Sequence, residues 1–269
     1  MRKFLLGLVT VLGAVLLLAG CGSSSSTSGS KEITLGVTAG PHAAIADKVA
    51  EEAKKEGLNV KVVEFSDYLT PDQALADGSL DMNNYQHEPF LLNFDKQKGT
   101  HLVALGKTVI QPMGLYSNSF HSVAAITSGT KVAIPNDPTN GGRALQLLAQ
   151  AGLITLKTDV GVKATLSDIT SNPKDLKIVE LDAAQLPRSL SDIGVAAIPM
   201  NYAISGNLDV EKQGFFFESK TNPLATIVLA VREQDKDNPT YKKVLAIYHS
   251  QAVKDFINEK FKGEVIPAE

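Results

Sequence analysis

Ala133-Ile134-Pro135-Asn136-Asp137-Pro138-Thr139-Asn140-Gly141-Gly142-Arg143-Ala144-Leu145 ends a β-rich run, turns, and enters an apolar helix within a few residues. Two X-Pro steps and two glycines shape the turn, and the helix is expected over Gly141 to Ala151 with Arg143 in its first turn. A strand feeding a helix through a tight turn is the building unit of an α/β protein with mainly parallel pairing. A helix N-terminus also offers unpaired N–H groups and the positive end of a dipole, and a guanidinium adds a planar fork suited to a carboxylate. Arg143 therefore either receives an anion or pairs with Asp137 at the surface.

The same alternation continues on both sides. Ile33 to Thr38 and Val60 to Phe65 read as strands around a helix from His42 to Glu56, where Ile45, Val49 and Ala53 share one face and Gly57 stops the helix. Further strands are expected at His101–Leu105, Lys131–Ile134, Leu176–Val179, Gly194–Ile198 and Ala225–Val231. Helices are expected at Pro89–Gln97 and, as one amphipathic run, Thr240–Phe261. Polar, Gly-containing stretches at Gln111–Ser119 and Glu218–Pro223 are candidate crossings between two lobes. One lobe is then discontinuous, residues 31–112 plus 223–269, and the other spans residues 113–222.

The N-terminus stands apart from this pattern. Arg2 and Lys3 precede the uncharged run Phe4–Leu18, which is shorter than the ~20 residues of a stable membrane span, and Leu18-Ala19-Gly20-Cys21 follows. Residues 1–20 read as a lipoprotein signal peptide. Cys21, the only cysteine, reads as the acylated anchor, and residues 21–30, nearly all Gly, Ser and Thr, as a flexible tether. A net charge of −3 with 43% hydrophobic residues offers no electrostatic footprint for nucleic acid.

Several chemistries fail on their own motifs. Gly106-Lys107-Thr108 echoes the end of a phosphate loop, but His101 stands where its first glycine belongs. There is no H-E-x-x-H, no G-x-S-x-G and no spaced Cys/His set, since His42, His87, His101, His121 and His249 are scattered. Three clusters suit a small polar ligand instead. Asp81 to Phe90 (DMNNYQHEPF), between strand-like Leu80 and a Pro-initiated helix, offers Tyr85, Gln86 and His87 as wall and hydrogen-bonding groups, or is a helix cap. Tyr68, in FSDYLTP, either lines a pocket or packs on the core. Asn201, in IPMNYA at the end of a strand, sits where α/β sheets bind ligands, or caps the next helix.

Together, Val37-Thr38-Ala39-Gly40-Pro41-His42, Asp81–Phe90, Ala133–Leu145 and Pro199–Ala203 (PMNYA) resemble the NlpA-type methionine-binding lipoproteins, the substrate-capturing part of methionine ABC importers. The likeness covers the whole chain after the tether. It implies a two-lobed periplasmic-binding fold of type II, each lobe a mostly parallel sheet flanked by helices, with L-methionine held between the lobes. It puts Arg143 on the ligand carboxylate, Asn140 and Asn201 as amide contacts, and Tyr68, Tyr85 and His87 around the thioether. Thr226, in Pro223-Leu224-Ala225-Thr226, stands where members commonly carry an Asn, so a hydroxyl replaces an amide. D-methionine, a methionine-containing dipeptide or another small amino acid are the neighbouring ligand classes. The implied protein is a monomer without cofactor or catalysis, anchored outside the membrane and partnered by an ABC permease and its ATPase subunit. A surface enzyme or adhesin on the same fold is the rival.

Overall fold

The computed structural model describes residues 32–268. The signal segment, Cys21 and the tether lie outside them. No helix among the described residues is long and apolar enough to cross a membrane.

In chain order the first strands are β1 (Ile33–Thr38), β2 (Val60–Phe65), β3 (Met82–His87), β4 (Leu102–Ile110) and β5 (Met113–Tyr116). Then come β6 (Lys131–Pro135), the small hairpin β7 (Thr155–Leu156) and β8 (Ile169–Ser171), β9 (Lys177–Leu181), β10 (Val195–Pro199), β11 (Gly214–Phe217), β12 (Thr226–Arg232) and β13 (Ile266–Pro267). The helices are α1 (Pro41–Lys55), α2 (Thr70–Ala76), α3 (Glu88–Lys98), α4 (Pro138–Gln150), α5 (Leu186–Ser189), α6 (Met200–Ser205), α7 (Val210–Gln213), α8 (Pro239–Tyr248) and α9 (Gln251–Phe261).

Two sheets organise these elements, one six-stranded in the order β13-β4-β12-β3-β1-β2 and one five-stranded in the order β11-β5-β10-β6-β9. The chain passes from the first to the second between Ile110 and Met113 and returns between Phe217 and Thr226. Helices cover both faces of each sheet. In the first lobe α1, α8 and α9 close over Leu35, Val37, Leu229 and Val231, while α2 and α3 bring Leu75, Leu91 and Phe94 to the other side. In the second, α4 covers Leu115, Ile134 and Val195, with α5 and α6 opposite.

The helix starts and stops follow local chemistry. Proline at the first position costs α1 no hydrogen bond, Ile45, Val49 and Ala53 are buried on its inner face, and Lys54 and Lys55 oppose the negative end of its dipole. Gly57 then takes a left-handed φ of 77°. Burying a side chain such as Val49 contributes ~1.5–3 kcal/mol, so a charge at that position would undo the docking of α1.

The structure departs from the sequence reading at four places. Pairing is parallel only along one side of each sheet, β1 with β2 and β3, and β6 with β9 and β10. β4 leaves for the second lobe and β12 comes back, so they run antiparallel to each other. The cluster Met82–His87 is itself a central strand, buried along its length. The C-terminal helix is broken at His249–Ser250, where Ser250 caps α9. Finally, α4 begins at Pro138, capped by the Asp137 carboxylate on the Asn140 N–H, which puts Arg143 in the second turn.

Candidate functional site

The C-terminal end of β3, the start of α4 and the start of α6 converge on a cavity between the lobes. The first lobe contributes Tyr68, Tyr85, Gln86, His87, Phe90 and Ile227, the crossing contributes Gln111, and the second lobe contributes Asn140, Arg143, Met200 and Asn201. The space is tight. About 20 Å³ can be reached by the centre of a water molecule, close to what a single water requires.

Arg143 is the charged centre of this site. Its side chain is 3% exposed, and Glu218, which is 2% exposed, accepts from it bidentately: Nε donates to Oε1 at 2.8 Å and Nη2 to Oε2 at 2.6 Å. Nη2 also donates to the Gln111 carbonyl at 3.1 Å. Glu218 Oε2 accepts the Met113 N–H at 2.8 Å. The guanidinium thus grips both segments that connect the lobes, and Nη1 keeps its own N–H donors for a further acceptor. Arg143 is not a surface partner of Asp137.

Two side-chain bonds tie the lobes together at the cavity wall. The Tyr68 hydroxyl donates to Asn201 Oδ1 at 2.6 Å. His87 accepts the Phe90 N–H on Nδ1, which leaves its proton on Nε2, and that nitrogen donates to Asn140 Oδ1 at 3.2 Å. Asn140 Nδ2 in turn donates to both Asp137 oxygens at 3.1 Å. Asn140 therefore spends both ends of its amide within the protein. Asn201 does not, because its Nδ2 is buried without a partner, as are Gln86 Oε1 and Gln111 Oε1.

Those atoms sort by charge preference. Asn201 Nδ2 and Arg143 Nη1 are donors suited to a carboxylate, whereas Gln86 Oε1 and Gln111 Oε1 are acceptors suited to an ammonium. The remaining wall is aromatic. Tyr68 packs 5.9 Å from both Tyr85 and Phe90 and 4.8 Å from Tyr202, and the Tyr85 hydroxyl is used on the Tyr68 carbonyl at 2.7 Å. Burial, aided by the positive charge of Arg143, lowers His87 to a pKa of about 3, so the ring is neutral. Burial pushes the Tyr68 and Tyr85 hydroxyls well above their ordinary value, so both stay protonated. Among the described residues no group of His, Cys, Asp and Glu is arranged to hold a metal ion.

Six of the seven residues expected from the sequence, Arg143, Asn140, Asn201, His87, Tyr85 and Tyr68, meet at this cavity. Thr226 does not. It lines a separate depression with Glu88, Lys107 and Leu224, because successive β12 residues face opposite sides and it is Ile227 that turns to the cavity. Gln111, on the cavity wall, and Glu218, which holds Arg143, carry no motif in the sequence. Their one signal was position, since both fall in the candidate crossings.

Residues 33–269 match the NlpA lipoprotein family. A Vibrio cholerae protein named probable D-methionine-binding lipoprotein MetQ is 42% identical over 269 residues, covering 99% of each chain. The D-methionine-binding lipoprotein MetQ of Escherichia coli K12 is 41% identical over 254 residues, 93% of each. Among solved structures, a nutrient binding protein from Burkholderia cenocepacia bound to methionine superposes with a TM-score of 0.85 at 47% identity, covering 88% of this chain and all of that one. An ABC transporter periplasmic substrate-binding protein from Coxiella burnetii gives 0.84 at 45% identity, with 88% of this chain and 100% of that one covered.

Proposed function

Because this chain belongs to the NlpA lipoprotein family, we propose that it captures methionine between its lobes and delivers it to an ABC importer. The observation that carries this reading is the pairing, in one buried cavity, of a guanidinium and unpartnered amide atoms of both kinds with an aromatic wall. A zwitterion needs a cation for its acid end, neutral acceptors for its ammonium and a dry surface for its side chain. The rings of Tyr68, Tyr85 and Phe90 favour a thioether over a plain aliphatic chain by ~0.3–1.5 kcal/mol per contact.

Binding on this account is lobe closure. The cavity lining comes from both lobes, so residues 31–112 plus 223–269 and residues 113–222 part as two lobes and close again over the ligand. Tyr68–Asn201 and His87–Asn140 are bonds made only when they meet. The ligand shifts this equilibrium by its differential affinity for the closed form, and a permease reads the closed shape. A neutral His87 and protonated tyrosines give the cavity an uncharged wall on this side, suited to holding a side chain. Acylation of Cys21 would hold the monomer at the outer face of a membrane beside its permease, with ATP hydrolysed by a separate subunit.

Calorimetric titration of the purified chain with L-methionine, D-methionine and leucine tests the proposal. Saturable methionine binding without product formation is expected, with at least a tenfold loss in Arg143→Ala because a buried carboxylate loses its charged partner. Unchanged methionine affinity in that variant would remove Arg143 from the site.

A further inference from the structure

Asp72 lies on α2, behind the cavity wall, and is fully buried without a basic partner in contact. Its Oδ1 accepts from two side-chain amides of β3, Asn83 Nδ2 at 2.8 Å and Gln86 Nε2 at 2.5 Å. The second hydrogen of Gln86 Nε2 goes to Asn83 Oδ1 at 3.2 Å. Both hydrogens of the Gln86 amide are therefore committed behind the wall. Its Oε1 is the one polar atom of that side chain left over, and Gln86 lines the cavity.

An ionised carboxylate can only accept hydrogen bonds, so it dictates which way round the amide sits. Turning Gln86 over would set Oε1 against the Asp72 and Asn83 oxygens and aim its NH2 at the cavity. We propose that Asp72 is a positioning residue that fixes the Gln86 amide with its oxygen free to receive the protonated amine of the ligand, making recognition of that amine depend on Asp72 being ionised. This rests on the amino-acid-binding reading above and assigns the group that selects for the amine.

The buried setting makes the ionisation sensitive to pH. Burial raises the Asp72 carboxyl to about 6, against the lowering effect of its bonds from Asn83 and Gln86. The charges facing it are few. β3 supplies Tyr85, Asp95 on α3 adds a small upward push, β1 carries no titratable side chain, and Arg232 of β12 lies at the far end of α2 on the Leu75 and Leu80 carbonyls, paired with Asp235. His42 and His87, both held at about 3, do not titrate in the same range. A protonated Asp72 can donate to Gln86 Oε1 and release the amide to turn.

The test measures affinity for L-methionine and for 4-(methylthio)butanoate, which lacks the amine, from pH 5 to 8 by calorimetry. The wild type is expected to prefer methionine at pH 7.5 and to lose that preference as pH falls through about 6. Asp72→Asn, which can donate to Oε1 at every pH, should lose methionine affinity at least tenfold at pH 7.5 and keep affinity for the desamino acid within about twofold. Its pH dependence should vanish, and its melting temperature should not fall. In the Gln86→Leu background the Asp72→Asn change should have no further effect on the preference. A wild-type preference that stays constant with pH, or additive losses in the double variant, would overturn the role of Asp72. Failure of the wild type to bind either acid would overturn the amino-acid reading and this inference with it.

Discussion

Removing Arg143 while leaving Glu218 strands a carboxylate that is 2% exposed with no cation beside it. In Arg143→Met the two charge-assisted bonds at 2.8 and 2.6 Å disappear, and Glu218 keeps only the Met113 N–H and the Asn222 amide, which donates to Oε1 at 3.2 Å. Breaking one side of a buried pair costs ~3–5 kcal/mol. For a chain of this size that lowers the thermal midpoint by on the order of 10 °C. Arg143→Met/Glu218→Gln removes the stranded charge yet leaves an amide oxygen for the Met113 N–H, so most of the lost stability should return. Methionine binding should not return, because the guanidinium is gone in both variants. Thermal melts followed by circular dichroism, with calorimetric titration of each variant, separate the two effects. Equal melting temperatures for the single and double variants would refute the stranded-charge argument. Recovered binding in the double variant would refute the role of the guanidinium.

Three further outcomes follow from the geometry. Tyr68→Phe deletes the hydroxyl that donates to Asn201 at 2.6 Å, so closure should weaken by ~1 kcal/mol and methionine affinity fall roughly fivefold in a titration, while an unchanged affinity would show that this bond does not form on closing. Gly40 takes a φ of 85° and a Cβ there would sit 2.9 Å from Ser205 Cβ and 3.2 Å from the Asn201 carbonyl, so Gly40→Ala should impede closure of the lobes and reduce the ligand-induced compaction seen by small-angle scattering. His42 and His87 have pKa values depressed to about 3 from 6.5, so the unfolded chain binds more protons and stability is lost as pH falls from about 6.5 toward 3. Asp72, raised from 3.8 to about 6, acts in the opposite sense, losing stability as pH rises through that window. His42→Gln should therefore flatten the acid limb of a denaturation profile, and a limb as steep as that of the wild type would contradict the assignment.

The sequence disclosed those parts of the fold whose side chains advertise their surroundings. β1 and β2 alternate or run apolar and are legible to the residue, as is the inner face of α1. β3 was opaque for the opposite reason. Met82–His87 carries Asn83, Asn84 and Gln86, whose polarity hides the strand, yet each is buried against a specific partner: Asp72 for Asn83 and Gln86, and Thr108 Oγ1 with the Val228 carbonyl for Asn84. No local pattern reveals partners so distant in the chain. β5 was hidden because its glycine and the preceding proline mark a crossing as readily as a short strand.

Part of the candidate cavity's lining was legible for a related reason. Asn140 and Asn201 stand in the first turns of helices that follow strands, and Arg143 one turn further on, where polar side chains after a β-rich run announce a binding edge. Glu218 could not be read, because 75 residues separate it from the guanidinium it holds. Thr226 lies in the neighbouring depression because the side to which a strand residue turns depends on register, which the sequence does not display, and β12 carries irregularities in its pairing with both neighbours.

The account rests on a ligand carboxylate held at Arg143 between the lobes. Titrating the wild-type protein at pH 7.5 with L-methionine and with L-methioninol, which keeps the amine and thioether but replaces the acid by an alcohol, tests that contact without altering the protein. The account predicts that methioninol binds at least a hundredfold more weakly, about 3 kcal/mol, the worth of a desolvated charged pair. Equal affinity for the two compounds would contradict it.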